Sequence, residues 1–140
     1  MILISELLGR TAGLEPPIEH RLNLGRLHYV LNFIRILCDR PMAVNSGYRT
    51  KEDHFRIYEK INRERASKGL AMLPVPMGSN HLIGAAADIS DPLGTLKEWC
   101  IKNIRVLEDL GVYCEAFEAT PVWTHFQIYP PHSGERFFNP

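Results

Sequence analysis

Two histidines and an aspartate are the residues of this chain whose types and spacing best suit chemistry. His81 and Asp88 bracket the run Leu82-Ile83-Gly84-Ala85-Ala86-Ala87, and His125 lies in Val122-Trp123-Thr124-His125-Phe126-Gln127-Ile128. Two imidazoles and a carboxylate make a three-ligand metal site with an open position, the arrangement a catalytic zinc needs to keep a water. Metal at such a site lowers the pKa of that water and polarises a carbonyl. The same ligand types form the facial triad of non-haem iron oxygenases. Those enzymes usually place the His and the carboxylate about two positions apart. Here seven positions separate His81 from Asp88, which counts against iron.

These residues need elements that aim them at one point. Ala86 to Ser90 reads as a strand, with Ala86, Asp88 and Ser90 on one face and Ala87 and Ile89 turned to the core. Gly84 permits a tight turn before it, and the alanines let backbone approach a bound group. Alternation is plain from Val122 to Tyr129. Val122, Thr124, Phe126 and Ile128 share a mostly apolar face, and Trp123, His125 and Gln127 share the other. His125 therefore faces away from the core.

The remaining elements form the scaffold. A helix is expected over residues 18–39, where Leu27, Leu31, Ile34 and Cys38 recur at helical spacing before Pro41 stops it. Met42 to Ser46 reads as a strand. Lys51 to Lys68 reads as a more exposed helix carrying Phe55, Tyr58 and Ile61. Residues 69–80 hold Pro74, Pro76 and Gly78 and read as a loop. One helix is expected from Asp91-Pro92, with Asp91 as N-cap and Pro92 at its first position, to Gly111 as C-cap. Its buried stripe is Leu96, Trp99, Cys100, Ile104, Leu107 and Leu110. Val112 to Glu115 reads as a further strand, and the tail after Pro130-Pro131 as irregular. The order is that of an α+β fold: a small, largely antiparallel sheet flanked by helices.

The bulk numbers narrow the classes of function. At 140 residues, one domain with one core is expected over positions 1–140. Sixteen basic residues balance sixteen acidic ones, which gives no reason to expect nucleic acid or an anionic membrane as partner. No run is long enough to span a bilayer. The start, MILISELLGR, lacks the basic and apolar segments of a signal peptide, so synthesis in the cytosol is expected. Cys38, Cys100 and Cys114 form no Cys-x-x-Cys pair. Their odd number argues against a disulfide framework, and Cys38 and Cys100 read as core residues. His20, His28 and His132 read as structural or solvated. The Arg63-Glu64-Arg65 run reads as a solvated helix face.

Three segments together resemble a known family. Ser46-Gly47-Tyr48-Arg49-Thr50, then Ser79-x-His81-x-x-Gly84-x-Ala86-x-Asp88, then Trp123-x-His125, are similar in type and order to the zinc D-Ala-D-Ala carboxypeptidases and related phage endolysin peptidases. The fold of that family is shared with the zinc-binding domain of hedgehog proteins. The resemblance covers nearly the whole chain and is closest to the short phage and prophage forms.

It implies that His81, Asp88 and His125 are zinc ligands. It also implies that Arg49 binds a substrate carboxylate or steadies an oxyanion, a task suited to its fork of donors. The family uses a carboxylate as general base. Some members carry it three positions before the last His, where this chain has Val122. Glu115 is the better match and Glu118 the second choice. Ser79 is expected to cap a turn or hold His81 by hydrogen bond. Trp123 is expected in the core or in the pocket wall, and His54, Arg56 or Tyr58 along a substrate groove. The implied activity is zinc-dependent amide hydrolysis in the stem peptide of bacterial peptidoglycan, as carboxypeptidase or endopeptidase. A monomer acting at the cell wall after release is expected. The alternative is a zinc-binding structural or virion-associated module that has kept the fold and lost catalysis.

Overall fold

The computed structural model describes residues 1–140. Five α-helices and a five-stranded mixed sheet form an α+β structure. The helices are α1 (Ile4–Leu8), α2 (Ile18–Cys38), α3 (Lys51–Ser67), α4 (Thr95–Lys102) and α5 (Ile104–Leu110). The strands are β1 (Val44–Ser46), β2 (Ala86–Ser90), β3 (Tyr113–Glu115), β4 (Trp123–Gln127) and β5 (Phe137–Phe138), in the spatial order β1-β2-β4-β3-β5. No helix is long and apolar enough to cross a membrane.

The core lies between α2 and one face of the sheet. Leu24, Leu27, Val30, Leu31, Ile34 and Cys38 of α2 join Ala87, Ile89, Phe126 and Ile128 in one apolar cluster. Each fully buried Leu or Ile contributes about 1.5–3 kcal/mol relative to exposure. The opposite face of α2 leaves Ile18, Leu22, Tyr29 and Ile36 exposed. Cys100 and Cys114 are buried in the same core, and all three cysteines are free thiols. Cys114 thus points away from the face that Glu115 shares.

The structure departs from the sequence reading in three elements. The helix expected from Asp91 to Gly111 is two helices, and it starts later. Gly94, at φ 68°, precedes α4, and Pro92 lies outside it. Asp91 still satisfies the helix start, from beyond the Pro92-Leu93-Gly94 turn: its carboxylate accepts from the amides of Leu96 and Lys97, both at 3.0 Å. The break between α4 and α5 falls at Asn103, whose side-chain amide donates to the Trp99 carbonyl at 2.8 Å. A short polar side chain bonding backbone in this way competes with helix continuation.

The tail is not wholly irregular. Phe137–Phe138 adds a parallel strand beside β3, and the Arg136 and Phe138 carbonyls accept from the amides of Cys114 and Ala116. Two residues are too few to show period-2 alternation, so the pattern is invisible in sequence. On α3, the buried anchor is His54, while Phe55 is half exposed.

Candidate metal centre

The β2–β4 ladder carries the site. Asp88 pairs directly with His125, flanked by Ala86 opposite Gln127 and Ser90 opposite Trp123. Direct partners on one face of an antiparallel pair hold their side chains together. This is the face away from the core, as the alternation predicts. His125 Nδ1 lies 2.8 Å from Asp88 Oδ1.

His81 arrives from a 3-10 turn, Asn80–Ile83, just before β2. Gly84 closes that turn at φ 72°, and a Cβ there would meet the His20 carbonyl at 2.8 Å, so glycine is required on both counts. His81 Nε2 lies 3.4 Å from Asp88 Oδ2. Its other nitrogen, Nδ1, donates to the Gly47 carbonyl at 2.8 Å. The ring is therefore held by Gly47 and not by Ser79, which precedes the 3-10 turn and makes no side-chain cap bond. Gly47 is itself placed by close approach: a Cβ would stand 2.2 Å from the Leu7 carbonyl oxygen, and the next amide, Tyr48, donates to that oxygen. The sequence reading missed the Gly47 carbonyl, because a backbone acceptor has no residue-type signature.

Arg49 completes the cluster. Its Nη2 lies 3.3 Å from Asp88 Oδ2, its Nε donates to Ser46 Oγ at 2.9 Å, and its amide donates to the His81 carbonyl. The Ser-Gly-Tyr-Arg segment thus supplies both the acceptor that orients His81 and a cation beside Asp88.

The electrostatics are uneven. Burial lowers the pKa of His81 more than Asp88 raises it, so the ring is neutral near pH 7. With Nδ1–H given to Gly47, the Nε2 lone pair faces a carboxylate oxygen. Burial works against the charge of Asp88, yet the hydrogen bond from His125 and the nearby His81 ring hold its carboxyl far below the usual range. Burial also opposes charge on His125, and Asp88 overrides it, raising that pKa. An ionised carboxylate taken out of water is costly unless opposed by positive charge. The candidate ligand atoms of His81, Asp88 and His125 all lie within 4.8 Å of one another, a group that could hold a metal ion. Ligands of a tetrahedral ion at about 2.1 Å stand roughly 3.4 Å apart; the 3.4 Å between His81 and Asp88 matches that, and the 2.8 Å between His125 and Asp88 is a hydrogen bond that a metal would open.

The other candidates divide. Glu115 ends β3, and its charge couples to His125, Asp88 and Lys97; burial raises its pKa above the carboxylate norm. Glu118 is solvent-exposed. Trp123 is half-buried on the His125 face, and exposed Val122 lies outside β4. Tyr58 is near enough for the charges of Arg49, Glu115 and Asp88 to reach its hydroxyl, whose pKa burial raises. His54 packs against Tyr58 with the rings tilted and their centroids 5.0 Å apart, and bonds the Pro76 carbonyl, tying α3 to the loop before His81. Arg56 is exposed and pairs with Asp53. His20 contacts the Tyr48 hydroxyl, His28 the Ile2 carbonyl, and His132 is exposed.

Two further residues escaped the sequence reading. Phe138 of β5 stands edge-on to the His125 ring at 6.3 Å. Lys97, buried on α4, donates to the carbonyls of Thr120 (2.9 Å), Trp123 (3.3 Å) and Ala116 (3.4 Å) and to the Thr120 hydroxyl. It ties down the long connection between Glu115 and Trp123. A lysine within a helix otherwise reads as surface.

Among known proteins, no family model, no curated protein and no solved structure matches the chain.

Proposed function

We propose that the chain is a zinc peptidase that hydrolyses amide bonds in the stem peptide of bacterial peptidoglycan. The observation that carries the metal half is the convergence of a neutral His81 Nε2, the Asp88 carboxylate and His125 Nδ1 on one buried point. Nitrogen and oxygen donors in a set of three, with a further position open, suit zinc. The substrate half rests on the Ser-Gly-Tyr-Arg, Ser-x-His and Trp-x-His segments and their likeness to the D-Ala-D-Ala carboxypeptidases and endolysin peptidases.

Zinc in this site supplies Lewis acidity toward a scissile carbonyl and makes water a nucleophile at neutral pH. Glu115 takes the proton of the attacking water and passes it to the leaving amine. Its raised pKa suits both halves of that task, since a base tuned toward the working pH also reprotonates readily. Arg49, anchored by Ser46 and Asp88, presents its guanidinium to a substrate carboxylate or to the carbonyl oxygen as charge develops. Trp123, on the His125 face, lines the approach.

Purified muropeptides incubated with the zinc-loaded protein test this reading. Cleavage is expected, with loss of about 10²–10⁴-fold in rate in Glu115→Gln while zinc is retained. Mass spectrometry of the products distinguishes a terminal D-Ala released from an internal bond cut. A wild-type protein that holds zinc and leaves muropeptides intact sinks the enzyme reading in favour of a zinc-binding module.

A further inference from the structure

His125 has two nitrogens, and a metal site needs one particular nitrogen to carry the lone pair. Nδ1 faces Asp88, and Nε2 lies 3.2 Å from Gln127 Oε1. The Gln127 amide is not free to turn. Its NH₂ group donates to the Tyr129 carbonyl at 2.8 Å, and a carbonyl only accepts. The oxygen of Gln127 must therefore face His125, and Nε2 must carry a proton.

From this we infer that Gln127 is a positioning residue that selects Nδ1 of His125 as the metal-binding atom. The inference rests on the metal reading above and extends it beyond the three ligands. Histidine ligands commonly give their other N–H to an acceptor that sets tautomer and ring orientation. Here the two histidines use opposite ends: His81 gives Nδ1–H to Gly47 and turns Nε2 to the site, while His125 gives Nε2–H to Gln127 and turns Nδ1, hydrogen-bonded to Asp88 until a metal takes the place of that proton, to the site.

Gln127 is buried, so its amide has few other partners. Its neighbour across the ladder is Ala86, whose small side chain occupies the position next to Asp88. The support extends further. The Tyr129 hydroxyl donates to Asn23 Oδ1 at 2.7 Å, and Asn23 Nδ2 donates to the Ile83 carbonyl in the 3-10 turn that carries His81. Asn23 of α2 thus connects the end of the His125 strand to the turn of the His81 ligand. A longer or shorter reach at either end would shift one ring against the other.

Zinc affinity measured by competition with a chromophoric chelator tests this, for wild type, Gln127→Leu and Gln127→Glu. The Leu substitution is expected to weaken zinc binding by about 10–100-fold, and the Glu substitution to keep wild-type affinity or better. Thermal unfolding of the metal-free proteins separates loss of ligand orientation from loss of fold. Long-range ¹H–¹⁵N correlation spectra of the zinc-loaded wild type should show His125 protonated at Nε2 and His81 at Nδ1. A His125 protonated at Nδ1, or a folded Gln127→Leu protein with wild-type affinity, overturns this inference alone. A wild-type protein that takes up no zinc overturns the metal reading and this inference with it.

Discussion

The β2–β4 ladder has one buried polar cluster at an end and another at its middle, and the two are built to different rules. At one end lie Asp91, Lys97, Thr120 and Thr124. The Asp91 carboxylate accepts from two backbone amides and from the Thr124 hydroxyl, and the Lys97 ammonium is surrounded by carbonyl and hydroxyl oxygens. No buried side-chain polar atom there lacks a partner. At the middle, the Asp88 carboxylate faces the His81 Nε2 lone pair and accepts from His125 Nδ1, and positive charge comes only from Arg49 and from the proton on His125. A saturated cluster holds the fold together, whereas a cluster of converging donors suits a cation. Both are buried and both contain an aspartate of β2 or its end. Burial and residue type therefore do not separate them; the direction of the lone pairs does.

Substitutions in the two clusters should separate metal binding from stability. The largest effect is expected from His125→Ala, which removes one of the three proposed ligand atoms. Zinc affinity should fall well beyond the roughly 100-fold that outer partners cost, as chelator competition will measure, while the metal-free protein still unfolds cooperatively. Lys97→Met is the counterpart. It leaves buried carbonyls without a donor and should cost about 3 kcal/mol, a fall of about 10 °C in thermal midpoint, with zinc affinity changed by less than about 3-fold. A Lys97→Met protein that kept its midpoint and lost zinc would break the division between the two clusters.

A smaller effect is expected from Glu115→Gln on the metal-free protein, and it depends on pH. Burial raises the folded pKa of Glu115, so the folded state favours the protonated carboxyl. Below the ordinary carboxylate range both states are protonated and the substitution changes little. As pH climbs past that range and through the raised folded value, wild type loses stability that the glutamine does not. The midpoint difference between the two proteins should thus grow in favour of Glu115→Gln from pH 4 to pH 8. A difference of the opposite sign would remove the buried carboxylate from the account. The smallest effect is expected from Glu118→Gln. This residue is exposed, so stability should stay within about 0.5 kcal/mol and hydrolysis within about twofold. Loss of hydrolysis there would move the proposed base from Glu115 to Glu118.

Local pattern determined a good deal of this protein. Helical periodicity marks α2 within a residue of its observed ends, and the alternation around Phe126 places His125 on the face away from the core. The small residues before Asp88 mark β2 as it is found. These features are legible because period and side-chain direction depend on neighbouring residues alone. Tertiary structure decided what depends on distant backbone. The Gly47 carbonyl that orients His81, the Tyr129 carbonyl that turns Gln127, and the strand of Phe137–Phe138 have no sequence signature, since any residue supplies a carbonyl. The same holds for Lys97, whose helix position reads as surface until the loop from Ala116 to Trp123 folds over it. The sequence determined which side chains could serve as ligands. Only the fold decided which of their atoms face one another.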